Sequence, residues 1–429
     1  MPSPRVLPTR LIPRLAALGL LLGGAWAAQA HAAGASAYAT RGECAGYPRV
    51  ALTAPKGWCV GLVADARDGL LMPRRLLEVS PGRFWITDMG SWDAHRGRLL
   101  ELNTAGQPGD KGRVRVLAKG LDRPHGLVRG PDGRIYIAEA GTIWRTPLAS
   151  VEREDVLRDL PSDGAHPLKE LVFGRRGRFF LNMGSATDAC RDEQQQQAMP
   201  CPEATGPRPR AAVYEVHLGG PDFKLQVFRP FSLGLRNSLG LALTQDTTNG
   251  AERLWQAENS VDYIDNQRPA EELNELRRGT HHGWPYCVSD DAGRGVPARG
   301  YESRARCDTP DHQAPYDAWP AHAAPLQLLA VPPVAAGQPA LPWSGRLLAV
   351  WHGHRAPGHR IVAWRLGPDG RPVGERENIV SGWLAMPGLR PLGNPAGITL
   401  DSQGRLWVVE DRNRTVLVVA PDSAPAAAP

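Results

Sequence analysis

The sequence predicts an all-β protein, a six-bladed β-propeller with disulfide-pinned loop insertions, and three observations support this fold class. A strand–turn–strand unit recurs along the chain. Within the units, apolar and polar residues alternate with the period of two that is typical of β-strands, as in RIYIAEA and RLWVVED. No unit has the helical period, which excludes helical solenoids, and radial closure removes the exposed sheet edges of an open array.

The repeat is clearest in the segment RPHGLVRGPDGRIYIAEAGTIWR, at 123–145, and it recurs as NPAGITLDSQGRLWVVEDRNRTVLVV, at 394–419. Each copy combines a proline, an apolar triplet, a glycine turn and two strands. Looser copies begin at Met72, His166, Arg236 and Leu341, which makes six blades. The segments around 190–201 and from about 270 to 340 are expected to be loops grafted on this scaffold.

Residues 1–33 have the composition of a secretory signal peptide. Three arginines precede the apolar run LAALGLLLGGAWAA, and a small-residue cleavage pattern, AQA, follows it. The run is shorter than the roughly 20 residues that a membrane-spanning helix needs. We therefore expect cleavage of this segment, a propeller over 40–420 and a disordered, low-complexity tail over 421–429.

The charge of the chain argues against a nucleic-acid partner. The formal charge is +6, and removal of the three arginines of the signal peptide leaves +3, spread without clusters of lysine and arginine. No later segment is long and apolar enough to span a bilayer. The mature protein is therefore expected in the periplasm or secreted, without a transmembrane segment.

Six cysteines suit an oxidising compartment. Their spacing favours three local pairs: Cys44 with Cys59, Cys190 with Cys201, and Cys287 with Cys307. Each pair closes a short loop that is poor in apolar residues. A zinc site is disfavoured because no CxxC pair occurs.

Polar residues border the predicted innermost strands. The first strand of each blade lines the central channel of a propeller, so polar residues at its entrance converge from several blades on one pocket. The candidates are His125, His166, Arg236, Asn237, Glu258, Asn259, Ser260, His354, Arg355 and Asn394. Any single one of them is also compatible with a structural role in a turn; their convergence is what predicts a site.

The second half of the chain carries more specific motifs. The run GLRNSLGLAL is followed by LWQAENSVDYIDNQRPAEELNEL and GTHHGWPYC. This order resembles the glucose/sorbosone dehydrogenase family, soluble six-bladed propellers that use pyrroloquinoline quinone (PQQ). The fragments HPLKELVFG, WHGHR and SGWL also have counterparts there, so the resemblance covers roughly residues 60–420.

The resemblance implies roles for individual residues. His166 matches the catalytic histidine, which removes a proton from a substrate hydroxyl while hydride passes to the quinone. Arg236 and Asn237 match the pair that contacts the quinone oxygens and carboxylates of the cofactor. We also count Arg236, with His166, among the expected catalytic residues. These residue types suit the chemistry, because arginine pairs well with carboxylates and a neutral histidine is a good base near pH 7.

The resemblance also implies a calcium ion and further cofactor contacts. Asn259 and Ser260 match positions whose backbone carbonyls hold Ca²⁺, an ion that prefers oxygen ligands. His354 or Arg355 falls near a basic cofactor contact. Asn394 stands where the family usually has arginine, so one carboxylate-binding charge is lost from the cofactor site.

The sequence departs from the family pattern at Asn394 and at Ser260, and both departures bear on these expectations. Arg390 or Arg412 is available to replace the charge that is missing at Asn394. Ser260 stands where the best-known glucose-oxidising members have proline, a change that leaves the backbone carbonyl in place. The pair Glu271-Glu272 is expected to be structural and to tie the long loop to its blade.

The sequence therefore predicts a PQQ-dependent and calcium-dependent dehydrogenase that oxidises a small sugar or related alcohol and passes electrons to a separate acceptor. Two alternatives remain. One is a propeller that has lost the cofactor and binds a glycan or protein partner, which Asn394 favours. The other is a calcium-dependent, lactonase-like hydrolase, which needs carboxylates such as Glu139, Glu258 or Asp262 around a central ion. Fold alone does not choose among the three.

Overall fold

The repeats fold into antiparallel sheets that form the blades of a propeller, as predicted. The computed structural model describes residues 38–334, 337, 339–383 and 393–422. Its strands are β1 (Thr40–Cys44), β2 (Tyr47–Val50), β3 (Trp58–Ala64), β4 (Pro73–Ser80), β5 (Arg83–Asp88), β6 (Gly97–Asn103), β7 (Val114–Leu121), β8 (Leu127–Arg129), β9 (Ile135–Ala138), β10 (Ile143–Thr146), β11 (Glu154–Leu157), β12 (Leu171–Phe173), β13 (Arg178–Met183), β14 (Ala212–Gly219), β15 (Lys224–Leu233), β16 (Gly240–Gln245), β17 (Glu252–Glu258), β18 (Glu271–Leu276), β19 (Cys287–Ser289), β20 (Gly295–Pro297), β21 (Asp317–Trp319), β22 (Pro325–Val331), β23 (Arg346–Trp351), β24 (Arg360–Leu366), β25 (Pro372–Val380), β26 (Pro395–Leu400), β27 (Leu406–Glu410) and β28 (Thr415–Pro421).

Blades 1 to 6 consist of β4–β7, β8–β11, β12–β15, β16–β18 with β21, β22–β25, and β26–β28 with β3. Strands β19 and β20 form a separate two-stranded sheet inside the long insertion of blade 4. Short 3₁₀ helices occupy Ala66–Asp68 and Pro202–Ala204. In the described ranges, no helix has the length and apolar character needed to cross a membrane. The predicted signal peptide and most of the predicted tail lie outside the described residues.

The alternating sequence pattern follows from the way the blades pack face to face. Strand β27 is buried along its whole length, with Leu406 and Val408 in the cluster shared with blade 5 and Trp407 and Val409 in the cluster shared with blade 1. Because successive side chains of a strand point to opposite faces, one strand supplies both interfaces. A comparable cluster lies between every two neighbouring blades.

The two ends of the described chain close the ring together. Strand β3 pairs with β28 as the outer strand of blade 6, and β1 and β2 extend that sheet. The Cys44–Cys59 disulfide joins β1 to β3. The other disulfides, Cys190–Cys201 and Cys287–Cys307, lie within the insertions of blades 3 and 4, so all three pairings agree with the sequence prediction.

The prediction for blade 5 was wrong by one strand. The copy that begins at Leu341 contains β23 and β24, which are the second and third strands of the blade. Its innermost strand is β22, PLQLLAV, which lies in the segment from about 270 to 340 that the sequence predicts to be a long loop. That segment also contains β18 and β21 of blade 4. Prolines at 325, 332 and 333 gave the segment the composition of a loop.

One arginine ties the innermost strands together at the axis. These strands, the first of each blade, contact one another in a ring. Arg75, on β4, bonds Glu170 before β12 through Nε (2.6 Å) and donates from Nη1 to the carbonyl of Ala396 (2.6 Å). Its Nη2 donates to the carbonyls of Leu326 (2.5 Å) and Leu239 (3.4 Å). A single buried guanidinium therefore links blades 1, 3, 4, 5 and 6.

Candidate functional site

Two adjoining cavities open at the face of the propeller where the innermost strands begin. Their volumes are about 410 and 600 Å³, within the range of small-molecule sites. The wall residues that both share are Trp92, Ala165, His166, Asn237, Asn259, Ala324, His352 and His354. They stand before the first strand or after the second strand of a blade, and these two positions meet at one face of an antiparallel sheet. The two cavities therefore form one site.

His166 lies in the loop before β12 and is almost fully buried. Its Nδ1 is 3.1 Å from the Ser185 carbonyl oxygen and 2.9 Å from Ser185 Oγ. The carbonyl can only accept, and the hydroxyl already donates to the carbonyl of Thr187 (2.6 Å), so Nδ1 carries the proton and donates. The Nε2 atom is left as a lone-pair acceptor, with no hydrogen-bond partner among the described residues.

The surroundings of His166 keep its ring neutral. Burial, together with the positive charges of Arg236 and Arg210, lowers the pKa of His166 to about 3, against the opposing effect of the bond to Ser185. A close approach also holds the residue in place. A Cβ at Gly184 would stand 2.5 Å from the His166 carbonyl oxygen, so only glycine fits at that position.

Arg236 and Asn237 precede β16 and line the same site. The Arg236 guanidinium is buried and pairs with the carboxylates of Asp188 (2.7 Å) and Asp262 (3.0 Å). It also donates to the carbonyls of Asn259 (2.9 Å) and Asp188 (3.2 Å). The side-chain amide of Asn237 has no hydrogen-bond partner within the described part of the chain, and so it is open to a ligand.

Asn259 and Ser260 follow β17, and Asn259 lies directly beside Arg236 and Asn237 in the same wall. The Asn259 side chain donates to the carbonyls of Asn237 (3.1 Å) and Pro325 (2.7 Å), which joins the starts of β16 and β22. Glu271, which the sequence suggested was structural, lies in the cavity wall and accepts from the Ser260 amide (2.6 Å). Burial raises the pKa of Glu271 to about 8, against the opposing effect of the backbone hydrogen bonds from Ser260 and Ala324.

His354 and Arg355 also line the site, but they follow the second strand of blade 5 instead of bordering its innermost strand. His354 Nδ1 accepts from Arg412 Nη1 (3.1 Å) and Asn394 Nδ2 (3.3 Å), so the ring proton is on Nε2. Partial burial, His352 and Arg412 lower the pKa of His354 to about 4. Arg355 donates to the carbonyl of Ile264 (3.0 Å) and so braces the loop of blade 4.

Sequence reasoning missed a charged group in the wall, formed by Arg74, His352 and Asp411. Arg74 Nη1 bonds Asp411, and His352 Nε2 is 3.0 Å from either carboxylate oxygen of Asp411. Burial would raise the pKa of Asp411, but the charges and hydrogen bonds of His352 and Arg74 outweigh it and hold that pKa well below its usual range. A signal existed in the repeat, because Asp411 and His352 stand after the second strand of their blades, as Asn259 does.

Three of the sequence candidates lie behind the cavity wall. His125 is fully buried and accepts from Arg74 Nε (3.2 Å) through Nδ1. Glu258 is buried, accepts from the backbone amide of Asn237 (3.1 Å), and has its pKa raised by burial to about 8. Asn394 is buried under the turn that follows β23 and donates to the carbonyls of His352 and Gly353.

The arginines around the site bear on the missing charge at Asn394. Asn394 does not line either cavity. The positively charged side chains on the side of the smaller cavity are Arg74 and Arg412. Arg412, one of the two residues that the sequence offered as a replacement, is in the wall. The other, Arg390, lies outside the described residues.

The carboxylates needed for the hydrolase alternative do not converge. Of the three, only Asp262 is in the wall, where it pairs with Arg236. Glu139 is bound by Arg153 (2.7 Å) and by the Asp122 amide. In the described ranges, the one group of side chains close enough to share a metal ion contains the two cysteines of the Cys190–Cys201 disulfide.

The wall of the site carries an excess of positive charge. Its arginines are Arg74, Arg236, Arg355 and Arg412, its aspartates are Asp262 and Asp411, and burial disfavours the charged form of Glu271. Two arginines, Arg74 and Arg236, are paired with carboxylates, whereas Arg355 and Arg412 bond neutral acceptors. The site therefore favours an anionic ligand.

Comparison with known proteins finds similar structures at low sequence identity. No protein-family model matches the sequence, and no curated protein sequence matches it either. The calcium structure of a family AA12 carbohydrate-active enzyme from Trichoderma reesei has a TM-score of 0.66 at 20% identity, covering 89% of this chain and 98% of that chain. The holo PQQ domain of pyranose dehydrogenase from Coprinopsis cinerea has a TM-score of 0.60 at 19% identity, covering 88% and 99%.

A third similar structure is the PQQ-bound aldose sugar dehydrogenase of Streptomyces coelicolor, with a TM-score of 0.52 at 16% identity, covering 86% of this chain and 99% of that chain. Each of the three comparisons covers 86% or more of this chain. The resemblance stated from the motifs is thereby confirmed at the level of the fold. The chain is a six-bladed propeller whose fold is similar to that of the pyranose dehydrogenase PQQ domain and of the PQQ-bound aldose sugar dehydrogenase.

Proposed function

We propose that the protein is a secreted or periplasmic quinoprotein that oxidises an aldose or a related sugar or alcohol, with PQQ as hydride acceptor and His166 as general base. The observation that carries this proposal is the state of His166. A neutral, oriented imidazole presents an unpaired Nε2 in a cavity with an excess of arginines. The similar structures include two described as PQQ-bound or holo forms of sugar-oxidising enzymes, which supports the same function.

The donor groups of the site fit the cofactor. PQQ carries three carboxylates, and arginine is their natural partner. Arg355 and Arg412 lack a carboxylate partner among the described residues and would bind these groups, while the free amide of Asn237 would donate to a quinone oxygen. Arg236 would contribute a further contact, although its two aspartates already take up part of its charge.

The oxygen atoms after β17 fit a calcium ion less completely. The Asn259 carbonyl already accepts a hydrogen bond from Arg236, so a cation there would share this oxygen with a guanidinium. The Ser260 carbonyl has no hydrogen bond within the described ranges, and the carboxylate of Asp262 lies in the same wall. We therefore propose Ser260 as the main protein ligand of Ca²⁺ and Asn259 as the second. The calcium structure of the similar AA12 enzyme supports an ion in this fold.

His166 performs the proton transfer in this proposal. Its Nε2 accepts the proton of the substrate hydroxyl, and the O–H electron pair becomes the second bond of the new carbonyl as the C–H hydride leaves. When bound, PQQ supplies the two-electron acceptor for that hydride. The bond from Nδ1 to Ser185 holds the required tautomer and stabilises the imidazolium that forms.

The proposed compartment rests on the disulfides. Three disulfides close the six cysteines into pairs, a pattern that persists in oxidising compartments. The signal peptide predicted over residues 1–33 would direct the chain there.

Reconstitution tests the proposed function. Purified apoprotein is titrated with PQQ in the presence of Ca²⁺, the bound quinone is followed by its absorbance, and dye reduction is measured with a panel of aldoses and sugar alcohols. We expect saturable PQQ binding and sugar-dependent dye reduction, both weakened by chelation of calcium. Protein that remains folded but binds no PQQ would instead support the cofactor-free, glycan- or protein-binding alternative.

A further inference from the structure

An exposed tryptophan stands in the wall that the two cavities share. Trp92 lies in the loop between β5 and β6, and 56% of its surface is exposed. Most tryptophans that the structure describes are buried between blades, where their rings stack or bond. Within the described part of the chain, the Trp92 indole has neither a ring contact nor a hydrogen bond. An unpartnered indole that faces a cavity is a binding surface for an apolar face.

The backbone around Trp92 is tightly held. The buried carboxylate of Asp88 accepts from the Gly90 and Met72 amides (both 2.9 Å) and from Arg98 (2.8 Å), which secures the base of the loop. Gly90 has a φ of 71°, and a Cβ there would lie 2.3 Å from the Arg96 carbonyl oxygen. A loop held at this point presents its indole without a large ordering cost on binding.

A second exposed apolar side chain comes from the opposite side of the ring. Ile264 lines the larger cavity from the loop between β17 and β18, and it is 90% exposed. Its loop is braced by Arg355, which donates to the Ile264 carbonyl (3.0 Å). Trp92 belongs to blade 1 and Ile264 to blade 4, and these blades are diametrically opposite in a ring of six. The two apolar groups therefore stand on opposite sides of the mouth.

We propose that Trp92 and Ile264 form a sugar-ring clamp, in which the indole stacks on one face of the substrate's pyranose ring and Ile264 covers the other. A pyranose ring has apolar C–H faces and a polar hydroxyl edge, and the site has the matching pattern of apolar groups at the mouth and hydrogen-bonding groups between them. The clamp holds the ring edge towards His166, whose loop also borders both cavities. This inference rests on the proposed function and assigns to it the residues that select a cyclic sugar.

The apolar character of the two clamp residues favours the substrate over the cofactor as their occupant. Charged side chains line both cavities and suit the cofactor and the ion: Arg74, Asp411 and Arg412 in the smaller cavity, and Arg236, Asp262 and Arg355 in the larger one. Ile264 contributes an apolar side chain at an open mouth, where a carboxylate-rich ligand would gain nothing from it. A neutral sugar ring suits the mouth better.

Binding of non-reacting sugars tests the clamp. The probes are 1,5-anhydroglucitol, 1,5-anhydrogalactitol and 1,5-anhydromannitol, which keep the pyranose ring but lack the anomeric hydroxyl. Their affinities are measured by calorimetry on the wild type, Trp92→Ala, Trp92→Phe and Ile264→Ala, with and without PQQ and calcium. We expect about a tenfold loss of affinity in Trp92→Ala, less than about threefold in Trp92→Phe and an intermediate loss in Ile264→Ala. In loaded protein, Trp92→Ala should raise KM about tenfold and change kcat by less than about twofold.

A matched control is Leu225→Ala, which removes an exposed apolar side chain on β15, away from the cavities, and should leave all affinities unchanged. Two results would overturn the clamp: none of the probes binds the wild type, or Trp92→Ala binds them as the wild type does. Loss of PQQ affinity in Trp92→Ala with unchanged sugar affinity would also overturn it and make Trp92 a cofactor contact. If loaded protein oxidises no sugar while the probes bind through Trp92, the proposed function fails and the clamp stands.

Discussion

The protonation of His166 makes the sharpest prediction for the rate. With an ordinary pKa of about 6.5, only about 3% of the imidazole would be neutral at pH 5. With the pKa lowered to about 3, nearly all of it is neutral at that pH. Since only the neutral ring accepts a proton, the lowered pKa keeps the base available at pH 5, where an unshifted histidine would be almost fully protonated. In a plot of rate against pH, the fall in rate on the acid side, which we call the acid limb, should therefore lie well below pH 5.

Two substitutions test the role of His166 as the base and the physical cause of its lowered pKa. His166→Gln removes the base, so kcat should fall by about 10²- to 10⁴-fold while PQQ affinity is unchanged. Arg236→Ala removes a positive charge that lowers the pKa of His166 and exposes two aspartates to the same region, so the acid limb should move upward towards pH 6.5. His217→Gln, on β14 and outside the cavity walls, is the control and should leave the profile unchanged.

The assay is the initial rate of dye reduction by PQQ-loaded protein at saturating sugar, from pH 4 to pH 8. The reasoning is refuted if the wild type shows an acid limb centred near pH 6.5 that is absent from the residual activity of His166→Gln. It is also refuted if loaded His166→Gln turns over at the wild-type rate, because His166 would then be a loop residue with no part in proton transfer.

Three further predictions concern binding and stability. Arg236→Ala should weaken PQQ binding about 10- to 100-fold, measured by titration of the apoprotein, and unchanged affinity would remove Arg236 from the cofactor contacts. Arg75→Ala leaves the buried Glu170 without its partner and should lower the free energy of unfolding by about 3 to 5 kcal/mol in urea denaturation, whereas a loss below about 1 kcal/mol would contradict its role at the axis. Replacement of Cys44 and Cys59 by serine opens a loop with a sequence separation of 15 residues and should cost roughly 3 kcal/mol; an unchanged melting temperature would argue against a stabilising closure by this disulfide.

The fold was predictable because each copy of the repeat can be recognised from a short segment of the sequence. Segments such as RLWVVED alternate because each strand is packed between two blades, and this burial leaves a period-two pattern that needs no knowledge of the partner. The innermost strand of blade 5, β22, was missed for the same reason. Its flanking prolines resemble a loop, and only the neighbouring strands show that it belongs to the ring.

The site was predictable in part. His166, Arg236 and Asn237 border innermost strands, and Asn259 borders a second strand, so their positions in the repeat place them at one face. Trp92, His352 and Asp411 follow the second strands of their blades and Arg74 lies at the start of β4, but residue type alone does not separate them from other polar or aromatic residues nearby. Their proximity joins parts of the chain that are hundreds of residues apart, as in the bond between Arg74 and Asp411.

The sequence by itself determined the architecture, the disulfide pairs and the position of the catalytic candidate, because alternation, spacing and motifs are properties of short segments. The tertiary structure decided the chemical state of the groups. Whether His166 is neutral, which of its nitrogens carries the proton and how far Arg236 is neutralised depend on burial and on charges from other blades. Electrostatic energies depend on distance through space and on exclusion of water, and both arise only when the ring closes.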